Sequence, residues 1–176
     1  MLNSNYYGIF RIGDLMLKKT VKLILIILLM ITIFSFSSDN GDKSNKKSDG
    51  VIVFISKLFI DGDLEKKQKE EYIENFSYVV RKSAHFSIYF LLGLLVFSFM
   101  SEFDIKLKKQ LIIAFLICFL YACSDEIHQL FISGRSGQIS DVLLDTIGSS
   151  GGLGFYFLLF RKKLVEDFYE QKERIS

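Results

Sequence analysis

Apolar and polar positions along this chain fall into long blocks rather than the short periods of a water-soluble helix or strand. Windows without a single charged side chain alternate with gaps into which the charges crowd. Four apolar segments stand out, at residues 21–38 (VKLILIILLMITIFSFSS), 84–100 (AHFSIYFLLGLLVFSFM), 111–131 and 139–160 (ISDVLLDTIGSSGGLGFYFLLF). A helix needs about 20 residues, within about 17–25, to cross the hydrocarbon core of a bilayer. The first, second and fourth segments reach that length directly. The third opens with 14 uncharged residues, LIIAFLICFLYACS, and spans only if it takes in Asp125, Glu126 and His128. A fifth stretch, 51–60, holds about ten residues including Lys57, which is too short to span and reads as an interfacial or re-entrant helix.

The pattern predicts an all-α integral membrane bundle of four transmembrane helices. It divides the chain into an N-terminal tail (1–20), the membrane domain (21–160) and a charged, solvated C-terminal tail (161–176). Lys18, Lys19 and Lys22 would suit a signal peptide, but the apolar run is long for one and no A-x-A-like site follows, so the segment is read as a retained span. Met16 offers an alternative start that leaves this topology unchanged.

Sidedness follows from lysine and arginine in the short flanks. Arg11, Lys18 and Lys19 precede the first span, Lys106, Lys108 and Lys109 join the second to the third, and Arg161, Lys162 and Lys163 follow the fourth. The loop before the fourth span holds only Arg135. Both termini are therefore expected on the cytoplasmic side, as in a bacterial cytoplasmic membrane. Residues 37–50 (SSDNGDKSNKKSDG) read as a flexible connector in the first outer loop. Residues 61–82 (DGDLEKKQKEEYIENFSYVVRK) read as an amphipathic helix lying over the outer surface.

Composition narrows the function classes. The net charge of the 176 residues is only +2, which argues against a nucleic-acid partner. Apolar residues make up 50%, too many for a disordered chain. Cys118 and Cys123 lie about 140° apart around a helix, so they form neither a disulfide nor a metal-binding pair.

The unusual polar residues gather at one predicted depth. Lys82 and His85 open the second span; Asp125, Glu126, His128 and Gln129 close the third; Arg135 lies in the turn; Asp141 and Asp145 open the fourth. Residues three or four apart share a helix face. Lys82, His85 and Tyr89 thus form one stripe, Asp125, His128 and Gln129 a second, and Asp141, Asp145 and Gly148 a third. Asp145 lies within the apolar run, where a carboxylate costs about 2.5–3.5 kcal/mol at the bilayer centre and less near the interface. Arg135, His85 and His128 are the expected partners, with Arg135 able to make a bidentate pair. Glycines from Gly148 to Gly154 allow close helix packing.

Three chemistries are open to such a set. Glu126 or His128 could exchange a proton while Asp125 or Asp141 orients an imidazole. The histidines and carboxylates also form a plausible ligand set for a metal, but D-E-x-H-Q matches no strong metal signature and H-E-x-x-H is absent, so neither metal nor cofactor is expected. Alternatively, Lys82, His85, Asp125, Gln129, Arg135, Asp141 and Asp145 could hold a polar or anionic headgroup without chemistry. A plain ion-pair network fastening helix ends is the structural alternative. Residues 134–138 (GRSGQ) lack the Lys-Ser/Thr ending of a phosphate-binding loop and read as a turn, with Ser140 or Asp141 capping the next helix.

At these residues the chain resembles the VanZ-like family of small bacterial membrane proteins. The resemblance rests on RKSAHFSIYFLLG (81–93) and SDEIHQLFISGRSGQISDVLLDTIGSSGG (124–152), with FSFSSDN (34–40) after the first span. It implies a four-helix membrane protein whose characteristic positions here are Lys82, His85, Asp125, Glu126, His128, Gln129, Arg135, Asp141, Asp145 and Gly148. It further implies a link to glycopeptide resistance, chiefly to teicoplanin, although many members of the family have no resistance role. The expected partners are therefore membrane lipid and an amphiphilic envelope ligand or glycopeptide. Two other readings stay open: an intramembrane acid–base enzyme using Glu126 and His128 on a cell-wall precursor or lipid headgroup, and a structural subunit. Four short helices also leave room for a homo-oligomer.

Overall fold

The computed structural model describes residues 3–38, 66–133, 135 and 137–175, with side chains for 13–38, 79–133, 135 and 137–160. The connector at 37–50 beyond Ser38 and the short apolar stretch at 51–60 lie outside the described residues. Among the described residues there are four helices: α1 (Asn3–Ser37), α2 (Lys66–Met100), α3 (Leu107–Gln129) and α4 (Ile139–Ile175). Each contains a stretch long and apolar enough to cross a membrane, at Gly13–Ser37, Val79–Met100, Leu107–Gln129 and Ile139–Phe160.

The spans agree with the hydropathy blocks, but three helices run well past them. The charged segment before the second span is helical from Lys66, and it continues into α2 without a break instead of forming a separate helix over the surface. KKQKEEYIENF is rich in good helix formers and contains no Gly or Pro, so nothing in the sequence ends the helix before the apolar run begins. The C-terminal tail likewise extends α4 to Ile175. The third span does incorporate Asp125, Glu126 and His128, as its length required.

Side-chain contacts between helix ends define an antiparallel order. Near the start of the first span, Lys22 Nζ donates to Glu102 Oε1 (2.5 Å) and to the Ser98 carbonyl (2.9 Å), beyond and within the end of α2. At the other end, Ser37 of α1 meets Asp125 near the end of α3 (2.7 Å). Residues 101–106 join α2 to α3, where Gln110 Nε2 donates to the Phe103 carbonyl (2.9 Å).

The buried apolar core is thin, built from Ile26, Ile33, Tyr89, Leu92, Val96, Phe97, Met100, Ala114, Cys118, Ala122 and Leu153. Large apolar side chains such as Ile24, Leu28, Leu116, Leu120, Leu158 and Leu159 point outward instead. That arrangement suits lipid as the surrounding solvent. Packing between the helices therefore relies on small residues and close backbone approach. On α3, Ala114, Cys118 and Ala122 recur every fourth position and are fully buried. Cys118 and Cys123 are both free thiols.

The most extensive pairing is between α2 and α4. A methyl group added at Gly152 would overlap the Phe90 carbonyl oxygen, and one at Gly93 would overlap the Ser149 carbonyl. At Gly148 it would sit 2.7 Å from the Phe86 carbonyl oxygen. Only hydrogen fits at these three positions, and the two backbones meet there.

Candidate functional site

The close α2–α4 contact sets two rungs side by side. Lys82 and His85 project from one face of α2, three residues apart; Asp141 and Asp145 project from α4, four apart. Lys82 Nζ pairs with Asp141 Oδ1 on the first rung. On the second, His85 Nδ1 lies 3.7 Å from Asp145 Oδ2. That separation is an electrostatic contact and too long for a hydrogen bond. Asp145 is completely buried, and neither of its oxygens accepts a hydrogen bond.

The end of α3 supplies the third side. Asp125 is also completely buried. Its Oδ2 accepts from Ser37 Oγ of α1 (2.7 Å) and from Gln129 Nε2 one turn on (3.3 Å), while Oδ1 has no donor. Gln129 also donates to Glu126 Oε1 (3.1 Å) and accepts from Arg135 (3.2 Å). A second Arg135 nitrogen donates to the Phe36 carbonyl (3.0 Å), which ties the α3–α4 turn to the end of α1. Glu126 Oε2 accepts from the Gln138 backbone N–H (3.0 Å), so this carboxylate holds the entry to α4.

His128 takes a different direction. Its ring stacks on Phe34 of α1 with centroids 3.9 Å apart, and Nε2 lies 3.0 Å from Ser38 Oγ. Glu126 and His128, paired in the acid–base reading, are two residues apart and so point about 200° apart around α3. They turn to different neighbours, Glu126 to Gln129 and Gln138, His128 to Phe34 and Ser38.

The residues gathered by spacing thus share one end of the bundle, and Asp145 meets one of its three expected partners. Asp145 faces His85, not Arg135, because Arg135 sits on the α3 side of the turn with Gln129 and Phe36. The α4 helix begins at Ile139, with Asp141 N–H bonded to the Gln138 carbonyl (2.9 Å). Gln138 therefore occupies the capping position, and Asp141 lies in the first turn, where a carboxylate complements the helix dipole. Ser37 and Ser38 were not singled out by spacing; the sole hint of them was the FSFSSDN step at the end of the first span. Tyr89, one turn beyond His85, is fully buried and its hydroxyl has no partner.

The model of the VanZ/LLP1 family matches residues 22–161, which include most of the first span, the other three spans and every residue of this site. The chain belongs to the VanZ/LLP1 family. No curated protein and no solved structure matches it. Family membership and the four apolar helices together make this VanZ/LLP1 chain a multi-pass membrane protein. The site of this family member draws on all four helices: Ser37, Phe34 and Ser38 from α1, Lys82 and His85 from α2, Asp125 to Gln129 from α3, and Asp141 and Asp145 from α4.

Proposed function

We propose that this protein sits in the bacterial cytoplasmic membrane with its polar end outward and holds the polar head of an amphiphilic envelope molecule there, with teicoplanin-type glycopeptides as the first class to test. One observation carries the reading. A network of half-buried charged and polar groups (Lys82, Arg135, Asp141 and His128) adjoins large apolar side chains at the same end, where Phe131 is 81% and Ile139 82% exposed. Polar groups for a head beside an apolar rim for a tail suit an amphiphile. The basic flanks at the opposite ends of the helices support the orientation.

Binding accounts for the geometry better than acid–base catalysis by Glu126 and His128. Both Glu126 oxygens accept hydrogen bonds that shape the turn, and the His128 ring is held against Phe34.

A decisive experiment is teicoplanin susceptibility of a sensitive Gram-positive host carrying empty vector, wild type, Arg135→Ala or Glu126→Gln, with membrane abundance matched by an epitope tag. The binding reading expects wild type to raise resistance and Arg135→Ala to reduce that gain in part. Complete loss in Glu126→Gln with undiminished folded protein would favour the enzyme reading. Wild type without effect would remove glycopeptides from the proposal.

A further inference from the structure

His85, Asp125 and Asp145 come from three different helices, yet a ring nitrogen and one carboxylate oxygen from each aspartate all lie within 4.8 Å of one another. Both aspartates are completely buried, and the His85 side chain retains 18% exposure. Among the described residues, three of the four aspartate oxygens lack a hydrogen-bond donor: Asp125 Oδ1 and both oxygens of Asp145. Buried ionised carboxylates persist when they are paired or coordinate a metal. Two strong cations at this end have acceptors of their own, Lys82 on Asp141 and Arg135 on Gln129 and the Phe36 carbonyl.

We propose that His85, Asp125 and Asp145 bind a single divalent transition-metal cation. Two carboxylates and a neutral imidazole would leave such a site with no net charge, which suits its depth in the bundle. The imidazole favours a transition ion such as zinc or iron over calcium and magnesium, whose usual ligands are oxygens alone. Ligands held at about 2.0–2.2 Å from an ion lie about 3–4 Å apart, so side-chain rotations of less than about an ångström close this cluster. Asp125 is already oriented as a ligand, because Ser37 and Gln129 occupy Oδ2 and leave Oδ1 without a donor. Metal ligands are commonly fixed by such outer hydrogen bonds. The Tyr89 hydroxyl, on the same face of α2 one turn from His85, is the nearest further donor by chain position.

This differs from the expectation that no metal binds, and the reason is the distribution of the ligands. Each comes from its own helix, so no local spacing announces them. Such a site would stand whether or not an amphiphile binds, since it occupies the inner rung and not the exposed rim.

Its test is the metal content of the full-length protein, purified in detergent without chelator and measured by inductively coupled plasma mass spectrometry. Wild type and His128→Gln are expected to carry about one first-row transition ion per chain, and His85→Gln and Asp145→Asn about tenfold less. To separate a lost ligand from a lost fold, chelator-stripped wild type is then titrated with Co²⁺, Zn²⁺ and Mn²⁺. Visible cobalt d–d bands and a raised thermal midpoint, both absent in folded Asp145→Asn, support the site. Stripped wild type that responds to none of the three ions overturns the proposal. So does Asp145→Asn carrying as much metal as wild type.

Discussion

The two ends of this helix bundle solve the problem of polar groups in a membrane in opposite ways. At the end where α1 meets the α2–α3 loop, the partly buried Lys22 has a matching charge. Lys22 reaches Glu102 and the Ser98 carbonyl, and Ser101 Oγ and Tyr156 OH lie 3.2 Å apart. What is left unpartnered there is a neutral amide oxygen, Oε1 of Gln110. At the other end, Asp125 and Asp145 are completely buried, and among the described residues three of their four oxygens have no donor. Fastening helices together needs only the first arrangement. Leaving carboxylates unsatisfied in the interior costs stability, so the second arrangement points to something that the first end does not do.

The contrast can be broken most forcefully through the glycines that set α2 against α4. Gly152→Val should cost about 3 kcal/mol or more, because the added side chain meets the Phe90 backbone and no rotamer change can relieve the overlap. Gly154→Val is the matched control, since nothing lies within 4 Å of that position. Thermal unfolding in detergent would separate the two variants, and equal midpoints would contradict the close approach.

Asp145→Asn should have the next largest effect, and its sign should depend on metal. With saturating zinc or manganese, wild type should gain about 3–4 kcal/mol by mass action while the variant gains little. After chelation the order should narrow or invert, because the variant no longer buries an uncompensated carboxylate. A wild-type advantage independent of metal would show that the inner rung is structural, like the opposite end.

Lys82→Met should cost about 1–3 kcal/mol by leaving Asp141 without its cation, and adding Asp141→Asn should restore much of that loss. A double variant as unstable as the single one would mean that the pair is not what Lys82 contributes. The smallest effect on function should come from Lys22→Met, whose stability cost should be similar to that of Lys82→Met because the two pairs are equally open to their surroundings. It should leave both metal content and any resistance phenotype unchanged, and a change in either would erase the distinction between the ends.

Much of the fold was legible because hydropathy in a membrane is a coarse and strong signal. Four apolar blocks gave four spans, and the need for about 20 residues correctly drew Asp125 and His128 into the third. Helix length outside the lipid was less legible. Hydropathy does not register a charged helix, so the Lys66–Tyr78 part of α2 read as a separate surface element. In the site, spacing found the stripes but not which stripe faces which. Spacing left Arg135, His85 and His128 all open as partners of Asp145, and the Gly148 and Gly152 contacts select His85 by bringing α2 against α4. Ser37 went unnoticed because serine in an apolar run carries no charge to mark it, yet it orients the Asp125 carboxylate.

The pairing of α2 with α4 also has a consequence for how the chain is made. Lys82 and His85 emerge during synthesis before the third span, and their partners lie on the fourth. Until the ribosome has passed Asp145, the second span must wait in the translocon or the lipid with Lys82 and His85 still lacking Asp141 and Asp145. The polar end is therefore completed only once the fourth span has begun to emerge, and a chain stopped after Gln129 would lack Asp141 and Asp145 and so have no completed rung.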